Sequence, residues 1–427
     1  MILFYRVFTT ICYPIFVAII FYRKILKKED SSRYKEKIFS KSFNVNRKKI
    51  SRLIWFHAAS LGELKSILPV IKILKKNHNN FEFLITTITL SSANLAKDEL
   101  EKFDNIHHRF FPVDTVFLIK KFLSLWKPSA IFFVDSEIWP NLILEAKKNR
   151  IPISLINARI TNKTFKRWMM IPKTAKNIFN SFDLCLSSSK ETSGYLEKLN
   201  AKNIKHLGNI KFISDIDAHT TAETLDEILK KKNFWLAAST HKGEESFCLK
   251  THLILKEKFK DLITIIVPRH IHRVNNIKKL CIDLKLSSQI IKKNDEIAEN
   301  KEIIIVNSYG NLPRFLRLAK SVFIGKSTIK NLKNVGGQSP IEAAKFGCKI
   351  YHGPFVYNFK EVYEILNKIK VCFKIKNPDD LAVKLSSDLE DNKNNNEEFL
   401  IIMKDLERQI LTKTMNTINQ FLFNENK

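Results

Sequence analysis

A chain of 427 residues is too long for a single hydrophobic core and predicts two domains of ordinary size. Its formal charge of +29 is typical of proteins that bind nucleic acid, an anionic membrane or an anionic substrate, but only 14 of the 72 basic residues are Arg, so most of the charge is expected to be solvated Lys. The six Cys are scattered without a C-x-x-C pair, which argues against a zinc site and a disulfide framework.

Residues 2–22 form an almost wholly apolar segment, interrupted by Arg6 and Pro14. Since about 20 apolar residues cross a bilayer, the segment 1–25 is interpreted as a membrane anchor that either spans the membrane or lies at its surface. The basic residues that follow predict a cytoplasmic location for the rest of the chain and contact with anionic lipids: Arg23, Lys24, Lys27, Lys28, Arg33, Lys35 and Lys37. A buried helix of a soluble protein is the alternative.

From residue 52 onward, apolar runs typical of strands alternate with amphipathic patterns typical of helices, which predicts an α/β fold with parallel sheets covered by helices. Strands are predicted at 53–56, 81–87, 107–111, 130–134, 153–156, 184–187, 234–238, 262–267, 303–306 and 321–324. Helices are predicted at 61–74, 91–103, 115–125, 138–148, 191–199, 244–256 and 312–320.

A polar stretch at 206–233 interrupts this alternation, and we place a domain boundary near Ile213. The predicted domains are an N-terminal one at 45–213 and a C-terminal one at 214–377. Two such domains in tandem leave a cleft between them, which is the expected place for a ligand. The charged, helical tail at 378–427 could pack back on the N-terminal domain.

The stretch His57-Ala58-Ala59-Ser60-Leu61-Gly62-Glu63 joins the first predicted strand to the first predicted helix. Glu63 falls in the first turn of that helix, at the carboxyl end of a sheet strand. An α/β enzyme would place a general base there, and the helix dipole is expected to keep its carboxylate ionised. The alternative is that Glu63 only caps its helix.

Two further strands end in polar side chains. Asp135-Ser136-Glu137-Ile138-Trp139-Pro140-Asn141 follows the strand at 130–134 and fits either a substrate site or a capped helix start. Asn157-Ala158-Arg159 follows the strand at 153–156, where Arg159 would either hold an anion or form a surface ion pair.

In the C-terminal half, the run Ser239-Thr240-His241-Lys242-Gly243 lies between a predicted strand and a predicted helix. Its backbone N–H groups and the helix N-terminus would cradle an anion. The run is neither G-x-G-x-x-G nor a P-loop, so neither NAD nor Walker-type ATP binding is indicated. Arg269 and His270, with Arg273 close behind, follow the strand at 262–267 and favour recognition of a carboxylate or phosphate.

Six of only ten Gly lie between residues 310 and 353, so these positions are expected to need a backbone that other residues cannot adopt. The run Gly336-Gly337-Gln338-Ser339-Pro340-Ile341-Glu342 is the most specific local pattern, since Pro340 suits the first position of a helix. The N-terminus of that helix would face a phosphate, and Glu342 could accept hydrogen bonds from ribose hydroxyls.

In their order along the chain, these motifs resemble those of the 3-deoxy-D-manno-oct-2-ulosonic acid (Kdo) transferases of lipopolysaccharide assembly. The resemblance runs from the N-terminal segment to about Asn367 and rests on eight motifs: H-A-A-S-L-G-E, S-E-I-W-P-N, N-A-R-I, G-N-I-K-F, S-T-H-K-G-E-E, P-R-H, G-G-Q-S-P-I-E-A and G-P-F-V-Y-N-F. It implies a GT-B glycosyltransferase with two Rossmann-like domains at the cytoplasmic face of the inner membrane. The implied reaction is an inverting transfer of Kdo from CMP-Kdo to a lipid A precursor, lipid IVA, without a cofactor or catalytic metal.

The resemblance also implies roles for single residues. Glu63 maps onto the catalytic base, and Glu137 onto a second acidic position on the acceptor side. Lys211 maps onto the lysine after the G-N step, and Arg269, the turn at Gly336–Glu342 and Asn358 map onto the nucleotide side. With the residues indicated by the sequence pattern, the predicted acceptor-side set also includes Ser60, Gly62, Asn157 and Arg159. The predicted donor-binding set is Lys211, Ser239, Thr240, His241, Arg269, His270, Gly336, Gly337, Ser339, Glu342 and Asn358.

The chain departs from the family pattern on the donor side. Asn307 and Asn311 replace the two acids of a D-T-x-G-E-L motif, Lys326 stands where the family has a second Gly, and Gln338-Ser339 replaces His-Asn. A GT-B enzyme with a UDP- or ADP-sugar donor is therefore the nearest rival. A non-catalytic basic protein on membrane or nucleic acid is the other, but Gly and Arg at strand ends, without a basic stripe carrying aromatics, argue against a nucleic-acid partner.

Overall fold

The computed structural model describes residues 1–45, 47, 51–214, 226–293, 295–332, 335–391 and 396–423. The chain divides into unit 1, which contains Met1–Asp215 and Arg408–Lys427, and unit 2, which contains Ile216–Glu407. The polar residues that suggested the domain boundary lie outside the described residues: Asp215, Asp217, Thr220, Thr221 and Glu223.

Unit 1 is built on a parallel sheet of seven strands in the order β3-β2-β1-β4-β5-β6-β7. The strands are β1 (Arg52–His57), β2 (Phe81–Thr87), β3 (Ile106–Phe110), β4 (Ala130–Val134), β5 (Ile153–Ala158), β6 (Leu184–Ser187) and β7 (Ile204–His206). Continuous apolar runs form the central strands because helices cover both faces of a parallel sheet. The short edge strand β7 is half-exposed or exposed throughout, so its sequence carries no such run.

The helices of unit 1 occupy most of the positions that the apolar spacing predicts, with two additional helices between β5 and β6. They are α1 (Ile2–Ile11), α2 (Tyr13–Ile25), α3 (Leu61–Asn77), α4 (Leu90–Leu100), α5 (Val116–Trp126), α6 (Pro140–Lys148), α7 (Asn162–Met169), α8 (Pro172–Phe179) and α9 (Lys190–Lys198).

Unit 2 contains a second parallel sheet of seven strands in the order β10-β11-β9-β8-β12-β13-β14. Its strands are β8 (Phe234–Thr240), β9 (Ile263–Pro268), β10 (Ser288–Ile291), β11 (Ile303–Val306), β12 (Ser321–Ile324), β13 (Lys349–His352) and β14 (Cys372–Lys374). The remaining helices are α10 (Asp226–Lys231), α11 (Glu244–Lys258), α12 (Val274–Asp283), α13 (Leu312–Leu316), α14 (Ile341–Lys345), α15 (Lys360–Lys368), α16 (Pro378–Glu390) and α17 (Asn396–Phe423). The predicted α/β class with two parallel sheets is confirmed.

The apolar N-terminal segment forms the two helices α1 and α2, bent by 54° at their junction. Pro14 lies in the first turn of α2, where its missing N–H costs nothing, so a second helix starts there. Neither helix alone is long and apolar enough to cross a membrane, whereas the bent pair meets the requirement of length and composition.

The charged tail is helical, and its last part belongs to unit 1. Ile418 and Leu422 of α17 are buried, and the ring of Phe421 meets Phe132 of β4 with centroids 5.5 Å apart. Arg52 at the start of β1 donates a hydrogen bond to the carbonyl of Leu422 at 3.1 Å. Residues far along the chain therefore complete the hydrophobic core of unit 1.

Gly325 provides a test of the packing in unit 2. A Cβ atom at this position would lie 2.5 Å from the carbonyl oxygen of Ser239 and 2.7 Å from Cα of Thr240. We expect Gly325→Ala to lower the free energy of unfolding by about 1–3 kcal/mol, measured by urea denaturation, because the backbones of two loops must separate. Gly194, inside α9 with no atom within 4 Å of such a Cβ, is the control. Gly194→Ala should raise the free energy of unfolding by about 0.5–1 kcal/mol, and equal effects at both positions would contradict the packing.

Candidate functional site

The strand order of unit 1 changes direction between β1 and β4, which are hydrogen-bonded neighbours. In an open α/β sheet, ligands bind outside the carboxyl ends of the strands at such a point. Glu63 follows β1 and Glu137 follows β4, so the topology brings two predicted site residues to this position. Asn157 and Arg159, at the end of the adjacent strand β5, extend the same edge.

Glu63 is held by the turn that precedes α3. Ser60 is the N-cap residue, and its hydroxyl accepts a long hydrogen bond of 3.4 Å from the backbone N–H of Glu63. In return, the carboxylate of Glu63 accepts hydrogen bonds from the N–H of Ala59 at 2.7 Å and from the Ser60 hydroxyl at 2.9 Å. This is a variant of the capping box in which the backbone donor to Glu63 is Ala59 and not the N-cap residue Ser60, so Glu63 does cap its helix. The cap also fixes the position of the carboxylate.

The environment of Glu63 raises the pKa of its carboxyl group to about 7. Burial is the largest cause, followed by the negative charges of Glu137 and Asp135, while the hydrogen bonds from Ser60 and Ala59 act in the opposite direction. The expectation that the helix dipole keeps Glu63 ionised is therefore wrong. Desolvation and repulsion outweigh the favourable end of α3, and the group titrates near neutral pH.

A partly buried network not predicted from the sequence supports Glu137. The indole N–H of Trp139 lies 2.8 Å from Oε2 of Glu137 and 3.0 Å from Nε2 of His57, which is fully buried. Nδ1 of His57 lies 2.9 Å from the hydroxyl of Thr86, which also accepts a hydrogen bond from Trp55. His57 and Trp139 both occur in the sequence motifs, but nothing in the linear pattern indicates that they meet.

Asp135 and Lys211 form an ion pair at the same edge. Asp135 has a left-handed backbone (φ 64°), and its Oδ2 lies 2.8 Å from Nζ of Lys211. Asn157 is also left-handed (φ 54°), and its side-chain carbonyl accepts a hydrogen bond from the backbone N–H of Ile210 at 3.0 Å. The backbone N–H of Arg159 donates to the carbonyl of Asp135 at 3.1 Å. Lys211, predicted to bind the donor, thus lies in unit 1, with the acceptor-side set.

Gly62 leaves open space beside Glu63. It lies within the first turn of α3, it is exposed, and an added Cβ would have no atom within 4 Å. Alanine would fit this backbone and would favour the helix, so folding does not explain the glycine. The space above Gly62 is available to a ligand.

In unit 2 the strand order changes direction between β8 and β12, and Glu244 bridges the loops that follow these two strands. Its fully buried carboxylate accepts hydrogen bonds from the backbone N–H groups of His241 (3.0 Å), Lys326 (2.6 Å), Ser327 (2.8 Å) and Thr328 (3.0 Å). Of these four N–H groups, only that of His241 belongs to the predicted anion cradle at Ser239–Gly243, and all four hold a carboxylate of the chain itself. Nothing in the linear sequence indicates this role of Glu244.

The neighbouring residues of this edge fall into two groups. Arg273 forms a bidentate ion pair with the buried carboxylate of Glu245, with nitrogen–oxygen distances of 2.5 and 3.1 Å. Arg269 and His270 are exposed, and within the described part of the chain the guanidinium of Arg269 has no hydrogen-bond or ion-pair partner. The rings of His241 and His270 lie 5.6 Å apart, and burial lowers the pKa of His241. Arg269 and His270 therefore remain candidates for binding an anionic ligand.

Ser239 and Thr240 end β8. Ser239 is left-handed (φ 56°), and its carbonyl lies 3.1 Å from Nδ1 of His241, while Thr240 is fully buried. The carbonyl of Thr240 accepts the backbone N–H of Arg269 at 3.0 Å. The backbone carbonyls of both residues therefore make contacts within the chain that hold the loop in place.

The glycine turn of unit 2 is a place where backbones cross. A Cβ on Gly336 would lie 2.3 Å from the carbonyl oxygen of Phe355, and one on Gly337 (φ 89°) would lie 2.9 Å from Cα of Val356. Asn358 ties the two segments together through hydrogen bonds to the carbonyls of Val335 and Gly336. These contacts within the chain account for both glycines.

The helix after this turn, α14, has only five residues and begins at Ile341, with Pro340 before it. So short a helix has a small dipole, so the prediction that its N-terminus binds a phosphate loses most of its physical basis. Ser339 is half-buried and Glu342 is exposed.

The described residues contain no group of three or more His, Cys, Asp or Glu placed to hold a metal ion. The predicted site residues thus fall into two sets, one at the carboxyl edge of each sheet. In the set of unit 1, the pKa of Glu63 is raised to about 7.

Comparison with known proteins supports the motif resemblance. Residues 32–214 match the family model described as 3-deoxy-D-manno-octulosonic-acid transferase. A 3-deoxy-D-manno-octulosonic acid transferase of Rickettsia bellii is 31% identical over 96% of this chain and 96% of its own. The transferase of Rickettsia prowazekii is 33% identical over 87% and 80%, and that of Haemophilus influenzae is 28% identical over 75% and 75%.

Solved structures agree on the fold. A glycosyltransferase from Rickettsia africae matches with a TM-score of 0.59 and 15% identity over 88% of this chain and 100% of its own. The Anabaena protein HepE in complex with UDP matches with a TM-score of 0.58 and 12% identity over 87% and 99%. At such low identity these likenesses establish the fold alone, which is GT-B-like, as predicted.

The charge of Glu137 can be tested through the titration of Glu63. Glu137→Gln removes one of the two negative charges that raise the pKa of Glu63, so this pKa should fall below its value of about 7. Carbon NMR of labelled glutamate carboxyl groups across a pH series measures it directly. Glu99→Gln is the control, since Glu99 pairs with Lys72 and is absent from the causes of the shift. An unchanged pKa in Glu137→Gln would show that Glu63 does not feel the charge of Glu137.

Proposed function

This chain belongs to the family of 3-deoxy-D-manno-octulosonic acid transferases, which are glycosyltransferases of lipopolysaccharide biosynthesis, and we propose that it transfers Kdo from CMP-Kdo to a lipid A precursor with inversion of the anomeric carbon. The observation that carries the proposed mechanism is the carboxyl group of Glu63. It is fixed by a capping box at the point where the sheet order reverses, and its pKa is raised to about 7.

Such a group suits general base catalysis. A base is most effective when its pKa lies near the working pH, because it is then both available as the ionised form and strong enough to accept a proton. In the proposed step, the ionised Glu63 takes the proton of an acceptor hydroxyl, and the oxygen of that hydroxyl forms a bond to the anomeric carbon of CMP-Kdo. The bond from that carbon to the phosphate oxygen breaks, and CMP leaves with the electron pair.

The neighbours of Glu63 have supporting roles in this proposal. The negative charges of Glu137 and Asp135 favour the protonated form of Glu63, which is the form that the step produces. Trp139 fixes the carboxylate of Glu137 through its indole N–H, and Lys211 balances the charge of Asp135. These contacts keep three carboxylates together without neutralising Glu63.

On the donor side, Arg269 and His270 are proposed to bind the negative groups of CMP-Kdo, because both are exposed at the end of β9. The loops at Ser239–His241 and Gly336–Asn358 are proposed to shape the surface for the nucleotide. Neither loop needs to supply the charge, since the exposed cations can do so.

The acceptor implies a membrane location. A lipid A precursor is held in a bilayer, and the apolar helices α1 and α2 give the chain a surface for that bilayer. We propose the cytoplasmic face of the inner membrane, with anionic lipids and the acceptor as partners and no nucleic acid.

Glu63→Gln tests the proposed base. Since an amide cannot accept the proton, the rate of CMP release in the presence of lipid acceptor should fall by about 10²–10⁴-fold. Wild-type turnover should rise with pH through about 7, as Glu63 ionises, and the variant should lose this dependence. Glu99→Gln is the matched control and should behave as wild type. CMP release by Glu63→Gln within a few-fold of wild type would exclude Glu63 as the base.

The same assay tests the donor. The wild-type protein is offered CMP-Kdo, a UDP-sugar and an ADP-sugar in turn, and the released nucleotide is identified. Release of CMP alone supports the proposal, whereas release of UDP or ADP would overturn it. Mass spectrometry of the lipid product then counts the Kdo residues added.

Gly62→Ala tests whether the open space beside Glu63 is used by the acceptor. The added methyl group should raise the free energy of unfolding by about 0.5–1 kcal/mol, because alanine favours a helix more than glycine does. If the acceptor approaches Glu63 over Gly62, the KM for acceptor should rise while the variant is more stable. Gly194→Ala is the control, since it also lies in a helix with open space around it. An unchanged KM would place the acceptor elsewhere.

A further inference from the structure

Helix α1 exposes its apolar side chains and places polar side chains against the rest of unit 1. Its large apolar side chains point away from the rest of unit 1: Leu3 is 74% exposed, Phe4 67% and Ile11 71%, and Val7 and Phe8 are also exposed. A helix of a soluble protein buries such a face. Single exposed apolar residues are common, but a continuous face of this kind marks an interaction surface.

The polar side chains of α1 face unit 1 and are bonded to it. The hydroxyl of Tyr5 donates to Asp114 at 3.0 Å, and the guanidinium of Arg6 forms an ion pair with the buried carboxylate of Glu145. Thr9 is buried and its hydroxyl accepts a hydrogen bond from the side chain of Asn141 at 3.1 Å. We call these three contacts the clamp. They hold α1 by side chains that a helix crossing a bilayer would have to carry into hydrocarbon.

The clamp is connected to the start of α6, which directly follows Trp139. The buried carboxylate of Asp114 accepts hydrogen bonds from the backbone N–H groups of Asn141 and Leu142, both at 3.0 Å, in addition to the hydroxyl of Tyr5. Asp114 therefore satisfies two of the free N–H groups at the N-terminus of α6. The segment that carries Glu137 and Trp139 is therefore followed directly by Asn141, which contacts Thr9 of α1.

Lysine side chains lie near the helix pair. Lys27 and Lys28 follow α2 and are exposed. A cavity of about 470 Å³ next to the clamp is lined by Glu145 and by three exposed lysines, Lys120, Lys127 and Lys148. By contrast, Lys37 and Arg23 of the predicted basic segment are paired with Glu29. The exposed lysines complement the anionic head groups of a bilayer.

We propose that α1 lies in the plane of the membrane, clamped to unit 1 by Tyr5, Arg6 and Thr9, with its apolar face in a bilayer that contains anionic lipids, and that residues 2–25 do not cross the membrane. The inference rests on the membrane location proposed above and makes it more specific. A spanning helix would have to leave unit 1. Asp114 would then lose the hydroxyl of Tyr5, Glu145 would lose its ion pair, and Arg6 would enter the hydrocarbon, and all three changes are unfavourable.

The topology can be tested without any measurement of activity. In a Cys12→Ser background, one variant carries a cysteine inserted after Met1 and another carries Lys27→Cys, while the other five native cysteines are buried. A membrane-impermeant maleimide is added to intact spheroplasts and to lysed cells. In-plane binding predicts that both cysteines react only after lysis. Labelling of the first cysteine but not the second in intact spheroplasts would show that the segment spans the membrane, and would overturn the proposal.

The clamp can be tested by a double-mutant cycle. Arg6→Leu makes the segment more apolar, so a spanning segment would insert better and the fold would keep its melting temperature. In the clamped arrangement, Arg6→Leu leaves Glu145 buried without a partner and should lower the melting temperature by several degrees. The double variant Arg6→Leu with Glu145→Leu should recover most of the loss. Thr10→Leu, on the exposed side of α1, is the control and should leave the melting temperature unchanged.

The partner can be tested with vesicles and the full chain. Sedimentation with phosphatidylcholine vesicles, with and without phosphatidylglycerol, should show stronger binding to the anionic vesicles. Lys27→Ala and Lys28→Ala should weaken that binding roughly fivefold for each lysine removed. A dimer in light scattering that is lost in Phe4→Ser, with no vesicle binding, would assign the apolar face to a second copy of the chain and contradict the proposal. Because these readouts do not involve turnover, they remain valid even if Glu63 is not the base.

Discussion

The carboxyl edge of unit 1 depends on the burial of one carboxyl group, that of Glu63, beside two further carboxylates. The parallel strands β1 and β4 are neighbours, so the loops that follow them bring Glu63 close to the negative charges of Asp135 and Glu137. The surrounding donors are distributed unequally. Asp135 has a lysine, Glu137 has an indole N–H, and Glu63 has two neutral donors at the start of its own helix. Burial and the two neighbouring negative charges together raise the pKa of Glu63 to about 7, although its two hydrogen bonds act in the opposite direction.

Glu244 shows what the same chemical group does when it is fully satisfied. Four backbone N–H groups surround its carboxylate, and the glycines near it allow the loops to approach closely. Lys326, which stands where the motif resemblance implies a glycine, has a left-handed backbone (φ 58°), at a cost of roughly 1–2 kcal/mol for a residue with a side chain. Its N–H donates to Glu244 at 2.6 Å, so the loop accommodates a residue with a side chain at this position.

The sequence predicted those parts of the molecule that depend on short-range patterns. Strands such as β2, β4 and β12 were predicted with the right ends, because an apolar run buried on both faces is visible in the chain itself. The strands β7, β10, β13 and β14 were missed. The edge strands β7, β10 and β14 are short and partly exposed, and β13 is largely buried but only four residues long. Glu63 could be identified from its motif, but its raised pKa depends on charges that arrive from β4. The contact between His57 and Trp139, 82 positions apart, required the folded sheet.

Unit 1 is assembled from distant parts of the chain, and this has a consequence for its synthesis. Arg52 can form its hydrogen bond to the carbonyl of Leu422 only after Leu422, 370 residues later in the chain, has been synthesised. At a ribosomal rate of about 5–20 residues per second, that interval lasts roughly 20–70 seconds. During this time the sheet surface that includes Phe132 lacks the helix that covers it, while the whole of unit 2 is being made. The hydrophobic core that forms around the first strands is therefore completed last, and the pace of translation determines how long it stays exposed to chaperones and to aggregation.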